Sequence, residues 1–346
     1  MKLLIITQKV DRDDSVLGTY HRWIEEFAKN CEKVSVICLE EGHHNLPKNV
    51  RIYSLGKEGG RSRLKYITNF YRYLWRLRGD YDSVFVHMNE EYVLLAGWWW
   101  RLQAKRVALF RNHIQGTWQT PIAVWLSNVV FCTSPHSYTA KFRKTKIVPA
   151  GIDLDKFRLR AEPHRLPRSI LSMGRIDPVK NVDVLIKALK LLSDRGVNVK
   201  ATIVGDPGSR DARYYHDVML AAAPLVESKV LEFKKALPNT RTPEMYHTHE
   251  VFVNMTNSGS FDKTILSAMA SGMLVVLCNR SFSGVVPPDL FFQEGDASDL
   301  ADKLAWAVSL PRPEQARMAN NLKLYVESNH SLEATIRSVL SAIKAI

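Results

Sequence analysis

Short apolar runs alternate with helix-length segments along almost the whole chain, and the alternation breaks once and restarts. The first series is Leu3–Thr7, KVSVICL (33–39), VRIYSL (50–55), SVFVHM (83–88), RVALFR (106–111) and NVVFCTS (128–134). A polar loop over Gln8–Ser15 and a helix from about Gly18 to Lys29 separate the first two runs. The break is PAGIDLDKFRLRAEPHRLPRS (149–169), which is rich in proline and charge and reads as a linker. The second series is SILSMG (169–174), VKATIVG (199–205), KVLEF (229–233), VFVNM (251–255), LVVL (274–277) and LFFQ (290–293). Helices over Val182–Asp194 and around Arg213–Pro224 fall between its strands. Short strands spaced by helices predict parallel sheets covered on both faces. The expected fold class is therefore α/β, with two Rossmann-like doubly wound domains facing a central cleft. The expected boundaries are 1–155 and 156–330, followed by an amphipathic helix at 331–346 with Leu332, Ile336, Val339, Leu340 and Ile343 on one face. Ligands of such sheets bind beyond the carboxyl ends of the strands.

The 346 residues carry a formal charge of +13, which favours an acidic partner: nucleic acid, an anionic membrane or a phosphorylated substrate. Cys31, Cys38, Cys132 and Cys278 lack metal-type spacing and read as buried thiols. MKLLIITQKVDRDD turns polar too early for a signal peptide, and YVLLAGWWW stops at Arg101, short of a membrane span. These features predict a cytoplasmic protein.

Three strand ends with glycine are candidates for chemistry. Gly18 opens the first helix, Gly174 precedes Arg175 and Lys180, and VGDPGSRD (204–211) follows the next strand. Neither a G-x-G-x-x-G nor a P-loop pattern occurs. An arginine fork and a mobile lysine charge suit a diphosphate, so Arg175 and Lys180 are read as an anion clamp. A fourth candidate is NSGSFDKTILSAMASGMLVV (257–276). There Ser260 can cap a helix that Gly272 ends, and the free N–H groups at its start can hold an anion. Asp262, in the first turn, would compete with that anion. His247 and His249 in YHTHE sit just before a strand and read as loop histidines, not metal ligands.

The segments VLGTYHRWIEEFAK, ILSMGRIDPVKNVDVLIKAL, ATIVGDPG and EMYHTHEVFVNMTNSGSFDKTILSAMASGMLVV, in that order, resemble family 4 retaining glycosyltransferases of the GT-B fold. The resemblance implies that Arg175 and Lys180 bind the diphosphate of a nucleotide-sugar donor. It places the helix start at Ser260, Phe261 and Lys263 on the same phosphates, and Gly18 near the phosphates or the acceptor. It points to His113, in VALFRNHIQG, as the contact to the donor sugar. It returns the last helix to the first domain and requires neither metal nor other cofactor, the leaving phosphate itself taking the acceptor's proton. Leu237 and Pro238 are the corresponding candidates for the base-contacting loop. Two glutamates with seven residues between them are usual in the family. Here their positions fall on Gly259 and Ser267, which leaves Ser267 a weak ribose contact and Asp262 the candidate replacement at the sugar, with Lys263 offsetting its charge. The expected activity is transfer, with retention, to a glycan or lipid-linked acceptor in envelope polysaccharide or glycolipid synthesis. A catalytically silent glycan-binding or scaffold protein is the alternative, favoured by the two missing carboxylates.

The segment RSRLKYITNFYRYLWRLR (61–78) places Arg61, Lys65, Arg72 and Arg76 on one narrow helical stripe and apolar or aromatic residues over most of the rest. That is more apolar surface than one sheet face covers. With Trp98–Trp100 and Arg101, it suggests an anionic membrane interface, a partner chain or a neighbouring loop, beside ordinary packing. Nucleic acid is not expected, because the aromatics lie on an apolar helix and not on a strand platform.

Overall fold

The computed structural model describes residues 1–60, 62–158, 164–259 and 262–346. They form two compact units, Met1–Gly151 with Pro238–Thr240 and Leu332–Ile346, and Ile152–Leu237 with Arg241–Ser331.

The first unit contains β1 (Lys2–Val10), α1 (Thr19–Asn30), β2 (Lys33–Glu41), β3 (Val50–Ser54), α2 (Arg63–Leu77), β4 (Ser83–His87), α3 (Glu91–Leu102), β5 (Arg106–Phe110), α4 (Thr120–Leu126), β6 (Val129–Cys132) and β7 (Thr145–Ile147). Its strands pair in the order β3-β2-β1-β4-β5-β6-β7, all parallel. Because successive side chains in a strand point to opposite faces, β1 feeds two cores. Leu3 and Ile5 pack with Trp23, Ile24 and Phe27 of α1. Leu4 and Ile6 pack with Phe70, Leu74 and Leu77 of α2, Val93, Ala96 and Trp100 of α3, and Ala123 and Val124 of α4.

The second unit contains α5 (Leu154–Phe157), β8 (Ser169–Met173), α6 (Val182–Asp194), β9 (Lys200–Val204), α7 (Ala212–Glu227), β10 (Leu231–Lys234), α8 (Thr242–Thr248), β11 (Val251–Asn254), α9 (Lys263–Ala270), β12 (Leu274–Leu277), α10 (Ala297–Ser309) and α11 (Arg312–Asn329). The strand order is β10-β9-β8-β11-β12, again all parallel. The last helix, α12 (Leu332–Lys344), belongs to the first unit. Its Ile336, Val339 and Ile343 close the core beside α1.

Several local expectations change. LFFQ is not a strand: Phe291 makes a single parallel bridge to Leu277, and a short turn at Pro288–Leu290 leads into it. Thr145–Ile147 adds a seventh strand to the first sheet, too short and polar to register as an apolar run. Pro224 does not end α7, which continues to Glu227, with Ser228 N–H donating to the Pro224 carbonyl. The segment 149–169 is not a free linker. Its Arg165 guanidinium donates to the carbonyls of Tyr246, His249, Ser271 and Gly272, tying the ends of α8 and α9 together. His247 lies in α8 with Nε2 against the Phe157 carbonyl, and His249 is buried, its ring nitrogens bonded to Met245 O and Thr202 Oγ1. Both are structural, and neither lies in an open loop. Trp100 is fully buried, so only part of the Trp98–Trp100 run is at the surface. Arg61, first of the basic stripe, lies outside the described residues. No described helix is long and apolar enough to cross a membrane.

Candidate functional site

In the second sheet the strand order reverses between β8 and β11, and the carboxyl ends of these two strands open the crevice expected at such a switch point. The turn after β8 is held against the turn after β9. Gly174 N–H donates to Val204 O (3.0 Å), Ile176 N–H donates to Asp206 O (3.0 Å), and Ile176 bridges to Pro207. This approach explains Gly205, where a Cβ would lie 1.8 Å from the Gly174 carbonyl oxygen. Gly174 itself has φ of +151°, a conformation costly for any other residue.

This turn delivers the two cations. Arg175 is largely exposed and pairs with buried Asp177 at 3.2 Å. Asp177 also accepts from Lys180 N–H (3.1 Å), which fixes the short turn Pro178–Lys180. Asn181, with φ of +48°, donates through Nδ2 to Met255 O (2.9 Å), locking the β8 turn to the end of β11. Gly174, Arg175, Lys180 and Asn254 line a crevice with about 10 Å³ of free volume, room for one water at most.

Lys180 does not point into open space. Its ammonium is paired with Asp262 Oδ2. The same oxygen accepts from Asn254 Nδ2 (3.0 Å), while Oδ1 accepts from the Thr264 N–H (3.0 Å) and hydroxyl (2.8 Å). Asp262 is thus the N-cap of α9 and the counterion of Lys180 at once. Burial alone would raise its pKa. The Lys180 charge and the Thr264 hydrogen bonds outweigh burial and hold the pKa at about 2. The partner expected from the sequence, Lys263, takes the first helical position of α9, where burial lowers its pKa to about 8.

Upstream, Ser258 donates its N–H (2.8 Å) and hydroxyl (2.7 Å) to Glu294 Oε1, which lowers the pKa of Glu294, and accepts from Arg280 N–H (2.9 Å). Gly259 follows with φ of +134°. Ser260 and Phe261 lie outside the described residues. Ser267 is buried on α9, where its hydroxyl meets the fully buried phenol of Tyr246 on α8. The carboxylate Glu294 and the donor Asn254 were not read from the sequence. Glu294 lies 36 residues from Ser258, in a stretch without periodic signal.

The other candidates belong elsewhere. In the first unit, Gly18 is the last residue before α1 and has ordinary helical angles. It is needed for space: a Cβ would lie 2.4 Å from Asp14 O and 2.9 Å from Arg12 O. Asp14 shapes that loop by accepting from the N–H groups of Val16 and Leu17 and from Lys9. His113 is exposed on the loop after β5, its Nδ1 accepting from Gln115 N–H (3.1 Å). That loop is anchored by an ion pair the sequence reading missed, buried Arg111 with buried Glu90 at 2.9 Å. The signal was present in a charged residue directly after the apolar run VALF. Leu237 closes a segment of the second unit and Pro238 opens one assigned to the first. The structure therefore gathers Arg175, Lys180 and Asp262 around one crevice in the second unit, with Lys263 next in sequence at the start of α9. Gly18 and His113 lie in the first.

Residues 158–324 match the family model described as glycosyl transferases, group 1. The D-inositol 3-phosphate glycosyltransferase 2 of Catenulispora acidiphila is 32% identical over 152 residues, covering 40% of this chain and 35% of that protein. The D-inositol 3-phosphate glycosyltransferase of Segniliparus rotundus is 25% identical over 225 residues, covering 60% and 48%. The chain thus spans less than half the length of these curated relatives. Anabaena HepE, solved with UDP and glucose, superposes with a TM-score of 0.78 over 100% of both chains at 15% identity. Sucrose-phosphate synthase from Thermosynechococcus elongatus gives 0.77 over 100% of this chain and 99% of that one, at 17% identity. The fold is GT-B.

Proposed function

We infer that the protein is a glycosyltransferase that moves a sugar from a nucleoside diphosphate sugar to a hydroxyl acceptor. The observation that carries this reading is the meeting of Arg175, Lys180 and the start of α9 at the switch point of the second sheet, inside the segment matched to group 1 glycosyl transferases. UDP is the first nucleotide to test, because HepE was solved with UDP and with UDP-glucose.

On this reading the donor diphosphate takes the place of Asp262 as the partner of Lys180, while Arg175 swings from Asp177 to fork onto the outer oxygens. As the bond from the anomeric carbon to the β-phosphate oxygen loosens, charge grows on the diphosphate. Fixed cations stabilise that charge more than the ground state. A leaving phosphate oxygen accepts the acceptor's proton, so no second carboxylate is needed, and the new bond forms on the same face with retention. His113 is the candidate contact for the sugar, and Leu237 and Pro238 for the base. A glycan or lipid-linked acceptor of envelope type fits the resemblance.

One observation favours the second reading, a catalytically silent binding protein. Both oxygens of Asp262 are engaged where a phosphate would sit, and Ser267 is buried. Thermal melting with UDP, GDP, ADP and dTDP, followed by turnover of UDP-sugars, separates the two. Ligand at 100 times its dissociation constant adds about 2.7 kcal/mol, a visible shift. A base-selective shift with turnover supports the transferase, whereas a shift without turnover, or no shift with any nucleotide, supports the silent glycan-binding or scaffold protein.

A further inference from the structure

The outer side of α2, α3 and α4 is unlike the rest of the first unit. These helices cover one face of the sheet and spend Phe70, Leu74, Leu77, Val93, Ala96, Trp100, Ala123 and Val124 on it. Large apolar side chains remain outside: Leu64 (75% exposed), Trp75 (60%), Trp98 (50%), Leu102 (77%) and Trp125 (65%). They form one surface. Tyr71 of α2 donates its hydroxyl to Leu95 O of α3 (2.9 Å), and the Trp75 ring lies 6.0 Å from Trp99, which meets Trp98 at the same distance. Arg101 of α3 lies over the Trp125 ring of α4 (4.9 Å) and donates to its carbonyl (3.2 Å).

Cations are threaded through these aromatics. Arg72, Arg76, Arg78 and Arg101 are exposed, Arg78 lies over Trp75 at 4.4 Å, and Lys144 donates to the carbonyls of Trp125 and Ser127. Neither α2 nor α4 contains an Asp or Glu, and none of these five cations forms an ion pair among the described residues.

We propose that this face docks on an anionic lipid bilayer, with the tryptophans and leucines entering the headgroup boundary and the arginines meeting lipid phosphates. The chemistry selects this occupant. A second copy of the chain would bring the same uncompensated arginines against each other, which costs association energy. A nucleic acid would satisfy the charges but leave exposed Leu64, Leu102 and Ile122 without a role. A bilayer satisfies both: amphipathic rings and aliphatic side chains are stabilised at its interface, and each basic residue adds attraction to an anionic leaflet. The Trp98 ring is held by a hydrogen bond from Nε1 to Leu95 O (3.1 Å) and Tyr71 by its bond to the same carbonyl, so these two side chains have little freedom to lose on docking. The inference is independent of whether the site in the second unit turns over.

The test is flotation of the full chain on vesicles of phosphatidylcholine alone and of phosphatidylcholine with phosphatidylglycerol. The expected result is flotation with the anionic vesicles only, weakening as salt is raised, with a blue shift of tryptophan emission. Arg72→Glu with Arg76→Glu should weaken partitioning roughly twenty-fold or more, from the attraction each basic residue contributes. Trp75→Ala with Trp125→Ala should reduce the blue shift and weaken flotation while the melting temperature stays unchanged, since both residues are exposed. Failure to float, equal flotation on neutral vesicles, or unchanged binding by the charge-reversed variant overturns the proposal. So does a concentration-dependent dimer that Trp75→Ala dissolves.

Discussion

Lys180 and Asp262, 82 positions apart, form an ion pair at the N-terminus of α9, and the carboxylate of that pair also caps the helix. An internal anion thus occupies the place that backbone amides and a lysine would otherwise offer to a ligand.

The pair makes acid stability depend on one side chain. The folded-state pKa of Asp262 is about 2, below the ordinary 3.8. Its contribution is therefore present above pH 3.8 and fades as pH falls through 2, on the order of 2 kcal/mol in all. Asp262→Asn keeps the cap but removes the charge. Its deficit in melting temperature against the wild type should narrow as pH is lowered from 4 towards 2, and a constant deficit across that range would contradict the assignment. The same change frees Lys180, so UDP should bind about tenfold more tightly, or about 1.4 kcal/mol, by calorimetry.

The two cations should separate in their effects on folding. Lys180→Ala leaves the Asp262 charge buried without its ion partner and should cost about 3–5 kcal/mol of stability. Arg175→Ala removes a side chain that is 60% exposed and should change stability by less than about 1 kcal/mol. Both should weaken UDP by roughly ten- to a hundred-fold, the loss of one charge-assisted contact. Denaturant titration and calorimetry on the same preparations check both halves.

Restoring a glutamate at position 267 is not a simple gain. Ser267 is 8% exposed and faces Tyr246, so Ser267→Glu must push α8 from α9 or bury a charge. A loss of about 1–3 kcal/mol is expected, read as a lower melting temperature without nucleotide. A variant as stable as the wild type would mean that the side chain finds an open path.

Gly205→Ala tests the zipped turns. The added methyl meets the Gly174 carbonyl oxygen at 1.8 Å, so the Arg175 turn must move. Weaker UDP binding and a melting temperature lower by several degrees are expected together, by thermal shift. Gly196→Ala serves as the contrast, because that residue has φ of +70° and no neighbour near its Cβ, so it reports backbone strain without a steric clash.

Most strands were legible because each is a short apolar run between helices, and the diphosphate candidates because a glycine and two cations follow such a run directly. What depended on distance in sequence was not legible. Lys263 is the nearest cation to Asp262 in sequence, whereas the fold supplies Lys180, 82 positions away. The three tryptophans at 98–100 look alike in sequence, but helical periodicity sends Trp100 into the core and leaves Trp98 outside. The same surface continues through Ile122 and Trp125 on α4, a helix too short to show an amphipathic period. Phe291 and Phe292 are as apolar as a strand, but they are buried beside one bridge, so burial alone could not reveal whether a ladder forms.

The placement of α12 has a consequence for synthesis. Its Ile336, Val339 and Ile343 complete a core whose other residues are made before Gly151. At roughly 5–20 residues per second, the ~180 residues in between keep the ribosome occupied for on the order of ten to forty seconds. For that interval the nascent first unit carries an uncovered greasy flank on its sheet, while the whole second unit can emerge and fold. The unit translated first is therefore finished last, and a ribosome stalled anywhere in the second half would leave a client for chaperones.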